Sequence, residues 1–168
     1  MSVGSWPSLD IVRLGDSLAA VVKLVDKPHR EQSDEATSAL ARFLVIRACG
    51  YLEQVTEEAC RAFMHANATP QVGHFGASWL GHGANPTPEN LLRLVGRFDT
   101  TWADELRAVL CAEDELLWRE LSLLVDRRNK MAHGLSEGTG SRKALDLAQR
   151  ARTVAEWFIG RFDPRAQT

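Results

Sequence analysis

The residues best equipped for chemistry lie together in Asp126-Arg127-Arg128-Asn129-Lys130-Met131-Ala132-His133-Gly134. Leu117, Leu121 and Leu124 step by four and three along one helical stripe, and the next step of four lands on Arg128. A guanidinium thus stands where a core stripe calls for Leu, a costly placement unless the charge is paired or faces a cleft or a partner chain. The plainer alternative is a helix that leaves the core at that point. His133 follows at the helix end, with Gly134 as the expected left-handed terminator. On a straight helix, positions five apart lie about 140° apart, but a helix that stops at His133 lets its imidazole turn back toward Arg128. A histidine near a helix C-terminus is also commonly a surface residue favoured by the helix dipole.

An arginine and a histidine converging at one site suit phosphodiester cleavage in RNA. Histidine titrates near neutrality and can take or give a proton. Arginine stays charged and offers a planar fork of donors to phosphoryl oxygens. RNA supplies its own nucleophile, the 2′-hydroxyl, so no metal is required. Arg127 sits about 100° around the helix from Arg128, which turns it toward solvent or the rim of a cleft.

The elements that must position these groups are helical. Ser8 is the expected cap of a first helix with apolar positions at Ile11, Leu14, Leu18, Val21, Val22 and Val25, ended by Pro28. Ser33, followed by Asp34 and Glu35, opens a second of about thirty residues, running through Leu40, Leu44, Tyr51, Val55 and Phe63. Residues 67–86 are rich in Gly, Pro and Asn and read as one long loop. Thr87-Pro88-Glu89 restarts a helix, Asp99-Thr100-Thr101 opens a short one, and a strong helix spans Glu113 to Ala132. The last runs from Ser141 to Phe162. No hairpin signal or alternating run predicts a strand. The expectation is one all-α domain over residues 1–168, an up-and-down bundle of about five or six helices.

Composition narrows the function classes. Hydrophobic residues make up 45% and charged residues 25%, which excludes a disordered or collagen-like chain. Lys23 and Arg47 interrupt the longest apolar stretches, both well short of the ~20 residues of a membrane span. Residues 1–10 lack the pattern of a signal peptide, and Cys49, Cys60 and Cys111 read as reduced thiols of a cytoplasmic protein. Residues 1–118 carry a net charge of −6 and residues 119–168 a net charge of +4, so a basic C-terminal third sits on an acidic body. That split fits a localised polyanion site, as well as a merely solvated basic helix. His65, His74 and His82 with Cys60 match no zinc spacing, and the Gly-rich run around Gly73, Gly76, Gly81 and Gly83 lacks the Gly-Lys-Ser/Thr of a P-loop. No metal and no cofactor are expected. Trp79, Trp102, Trp118 and Trp157 are assigned to the core or an interface.

Arg128-Asn129-Lys130-Met131-Ala132-His133 resembles the Arg-Asn-x-x-x-His form of the Arg-x4–6-His motif of the HEPN superfamily. The segment Arg47 to Glu53, and the stretch from Ser78-Trp79-Leu80 through Asn85 to Leu91 and on to Phe98, are similar to stand-alone bacterial HEPN proteins. The resemblance covers about residues 40–158. It implies a metal-independent endoribonuclease, a toxin or antiphage effector that leaves 2′,3′-cyclic phosphate ends. It implies a homodimer whose paired motifs share one cleft, with an antitoxin or sensor as a further partner. Under it Arg128 and His133 are the catalytic pair, Asn129 orients the site and Glu53 is the helix-two acid that holds Arg128. Arg127 and Lys130 then form the RNA-binding rim. Some members of the superfamily are inactive, so the second reading is a non-catalytic binding or dimerisation module of a defence or toxin–antitoxin complex.

Overall fold

The computed structural model describes residues 5–27, 31–80, 85–134 and 138–166. Among these residues there are seven helices and no strand. They are α1 (Leu9–Asp26), α2 (Asp34–Asn67), α3 (Pro70–Ser78), α4 (Pro88–Gly96), α5 (Thr100–Leu110), α6 (Ala112–Ala132) and α7 (Ser141–Arg161). Among the described residues no helix is long and apolar enough to cross a membrane.

Most helix starts follow from short polar side chains that serve the free N–H groups of the first turn. Ser8 Oγ accepts from Ile11 N, Ser33 Oγ from Ala36 N and Thr87 Oγ1 from Asn90 N. Asp99 Oδ1 accepts from both Thr101 N and Trp102 N, and hydrogen bonds from Thr101 and Trp102 hold its carboxyl below the usual carboxylate range. Pro28 and His82 lie outside the described residues, as do Gly81 and Gly83.

Two elements depart from the sequence expectation. Residues 67–86 are not one loop, because Pro70–Ser78 forms α3. Pro70 opens it at a position where its missing N–H costs nothing. Its glycines serve close packing: a Cβ on Gly76 would lie 2.7 Å from Met64 Sδ, and one on Gly73 3.4 Å from Met64 O. Glycine here brings α3 tightly onto the end of α2. The second departure is the start of α6. Glu113, Asp114 and Glu115 have φ of 52°, 55° and 59°, a left-handed turn between α5 and the regular part of α6. Such residues are disfavoured there by roughly 1–2 kcal/mol each. Helix-forming acids conceal this turn from periodicity.

The long helix α2 organises the molecule. Its buried positions, among them Leu44, Val45, Cys49, Leu52, Val55 and Cys60, cover a wide arc, because α1, α3, α6 and α7 all pack against it. Burying each Leu of this arc is worth about 2 kcal/mol. Phe63, near its end, meets Phe98, Trp102 and Phe162 edge-on at centroid distances of 5.5–6.0 Å. This aromatic knot joins α2, α7 and the α4–α5 pair. Arg161 caps it, lying over Trp102 and pairing with Glu105.

Candidate active site

The stripe on α6 behaves as its spacing requires. Leu117, Leu121 and Leu124 are buried in the core, and Arg128 continues their face with a side chain only 25% exposed. The helix does not leave the core there. Instead α2 supplies the counter-charge: Arg128 Nη2 donates to Glu53 Oε2 at 3.4 Å. Arg128 Nη1 donates to Asn129 Oδ1 at 3.2 Å. The guanidinium is thus held from two sides.

Cys49 stands one turn before Glu53 on α2, and it too faces Arg128. Burial pushes its thiol above the ordinary cysteine range, and the adjacent Arg128 guanidinium partly offsets that push. Sequence reasoning passed over Cys49. Its spacing of four from Glu53 was the available signal, since positions four apart share a helix face.

His133 caps α6, with its backbone N–H donating to Asn129 O at 3.1 Å, and its side chain is exposed. Gly134 has φ of 73° and ends the helix in the left-handed region, as expected. Both groups stand at the end of α6, and among the described residues no hydrogen bond joins the imidazole to Arg128.

Arg127 is not turned to open solvent. Its Nη1 donates to Thr139 Oγ1 at 2.7 Å, Thr139 is buried, and Arg127 Nε is itself buried without a hydrogen-bond partner among the described residues. The side of α6 that carries Arg127 is covered by the segment leading into α7, which a single-helix projection cannot show. Nearby, Lys143 Nζ donates to Glu120 Oε2 at 2.6 Å and fastens the same join. Arg127→Ala strips the buried Thr139 hydroxyl of its donor. We expect a loss of about 2 kcal/mol and a fall in Tm of roughly 4–8 °C, read by thermal denaturation. Unchanged Tm with weaker RNA binding would return Arg127 to the rim. Lys130 Nζ lies 3.0 Å from Asp126 Oδ2, four residues back on the same exposed face. Such a surface pair contributes at most about 1 kcal/mol.

A cavity of about 650 Å³ opens beside this cluster, between α2, α3 and α4, and Glu53 lines it. Trp79 stands at its lip, 62% exposed, and so lies outside the core. Thr56 is on the wall, 4% exposed, and its Oγ1 has no hydrogen-bond partner among the described residues. No group of three or more His, Cys, Asp or Glu side chains among the described residues is arranged to hold a metal ion.

No family model, curated protein or solved structure matches the chain.

Proposed function

We propose that the chain is a metal-independent endoribonuclease of the HEPN type, acting as a homodimer in a toxin or antiphage role. One observation carries the proposal. A partly buried arginine, fixed by Glu53 and Asn129, stands on the same helix end as the exposed His133. An arginine so held costs little reorganisation when charge develops on a phosphoryl group.

The reaction follows from these groups. An imidazole takes the proton of the RNA 2′-hydroxyl, and that oxygen attacks the adjacent phosphorus. Arg128 stabilises the charge of the pentacovalent transition state. The 5′-oxygen leaves with a proton returned by an imidazolium, giving a 2′,3′-cyclic phosphate and a 5′-hydroxyl. Two copies of His133 across a two-fold axis supply both base and acid.

The surface of α2 supports pairing of two copies. Phe43 and Ile46 are 47% and 42% exposed, and with Gly50 and Glu53 they follow one face at spacings of three and four. An exposed apolar stripe thus runs directly into the Glu53–Arg128 pair, and a second copy laid on it joins the two sites in one groove. Light scattering at high micromolar concentration is expected to give twice the 18.6 kDa chain mass. End analysis of cleaved RNA is expected to give cyclic phosphate and 5′-hydroxyl ends. A strict monomer, or 5′-phosphate ends, would contradict the proposal.

One observation favours the alternative of a non-catalytic dimerisation module: His133 makes no hydrogen bond to Arg128 among the described residues. That reading predicts a dimer without cleavage.

A further inference from the structure

The cavity between α2, α3 and α4 is built from parts that the cleavage chemistry leaves unused. Its lip is aromatic: Phe75 and Trp79 are both exposed and meet edge-on, with centroids 6.2 Å apart. Gly73 and Gly76 lie against Met64 at the end of α2, while both rings stay exposed. Arg93 on α4 and Arg97, which caps that helix one turn later, also line the cavity, both exposed and without an ion pair among the described residues. Thr56 is on the wall; its buried hydroxyl has no hydrogen-bond partner among the described residues and is closed to solvent in its present rotamer, and a helical threonine has a second χ1 rotamer that turns the oxygen.

We propose that this cavity is a base-binding subsite that takes one nucleotide of the RNA, an inference that rests on the ribonuclease reading. The occupant must offer a flat ring to Trp79, a polar edge to Thr56 Oγ1 and an anion to Arg93 and Arg97. A nucleotide has all three. An apolar peptide side chain serves the rings alone and leaves the hydroxyl and both arginines unmatched. The volume of about 650 Å³ lies within the ordinary range of small-molecule sites. Position argues the same way: Glu53 lines the cavity and also holds Arg128, so a strand with its scissile phosphate at Arg128 delivers a neighbouring nucleotide here. Stacking on an indole tolerates any base, whereas one buried hydroxyl discriminates among base edges. The subsite thus lends RNA recognition a base preference that Arg128 and His133 cannot supply.

The test is direct binding of the four ribonucleoside 5′-monophosphates, with ribose 5-phosphate as the base-free probe, followed by calorimetry. None of these molecules has an internucleotide bond to cut. We expect at least one monophosphate to bind more than tenfold tighter than ribose 5-phosphate. Trp79→Ala should weaken that binding by about 5- to 150-fold, the usual cost of losing one base–aromatic stack. Thr56→Val keeps the side-chain shape, so it should weaken binding and narrow the preference among bases with an unchanged or higher Tm. Arg93→Ala/Arg97→Ala should flatten the salt dependence of binding. Monophosphates that bind no better than ribose 5-phosphate, or that bind wild type and Trp79→Ala alike, would overturn the subsite. The two proposals fail separately. Specific nucleotide binding without RNA cleavage removes the ribonuclease reading and keeps the site. Cleavage that Trp79→Ala and Thr56→Val leave unaltered in rate and base preference removes the subsite and keeps the ribonuclease.

Discussion

Arg128→Ala is expected to lower single-turnover RNA cleavage by about 10²–10³-fold, the usual cost of deleting one preorganised donor to a developing oxyanion. The side chain is fixed before substrate arrives, with Glu53 on one nitrogen and Asn129 on another. Its loss therefore falls on the transition state more than on ground-state binding, so kcat should drop while RNA affinity changes several-fold at most. Arg128→Lys separates charge from shape. An ammonium keeps the charge but cannot bridge Glu53, Asn129 and a phosphoryl oxygen with a planar fork, so that variant should also be severely impaired. Deleting Arg128 also leaves the half-buried Glu53 carboxylate unpaired beside the buried Cys49 thiol. A modest loss of stability should accompany the loss of rate, and thermal denaturation separates the two. Near-normal cleavage by Arg128→Ala would show that the stripe ends in a structural ion pair.

His133→Ala should remove the proton transfers and slow cleavage by about 10²–10⁴-fold. The fold should tolerate the change. His133 is exposed at the cap of α6, and the left-handed turn at Gly134 that ends the helix depends on the backbone alone. Surface replacements of this kind usually alter stability by less than about 0.5 kcal/mol. Arg128→Ala and His133→Ala should thus both lose activity but differ in stability, with only the former measurably softened.

Much of the scaffold was legible in the sequence because local chemistry decides it. Ser8, Ser33, Thr87 and Asp99 each cap the helix expected behind them, since a short acceptor beside free N–H groups acts within one turn. The Leu117-Leu121-Leu124 stripe located Arg128 against the core because helical periodicity is a property of one element. The features that escaped depend on what other elements do. Gly73 and Gly76 look like loop composition until α2 is in place to press against them. Arg127 faces solvent on an isolated helix, and only the segment into α7 buries its contact with Thr139. Glu113 and Glu115 score as helix formers, yet with Asp114 between them they lie in the left-handed region at the link between α5 and α6. The cavity has no sequence signature, since Thr56, Trp79 and Arg93 come from three helices. The Glu53–Arg128 pair was expected only from resemblance, and spacing alone would not have joined residues 75 apart.

The central claim is that Arg128 and His133 cut RNA without a metal. Its most direct test is cleavage of RNA by pure protein in excess EDTA, with His133→Ala purified and assayed in parallel. Wild type is expected to cleave undiminished in EDTA, and a folded His133→Ala at least about 100-fold more slowly. Cleavage that stops in EDTA and returns with Mg²⁺, or that proceeds in His133→Ala at close to the wild-type rate, would contradict it.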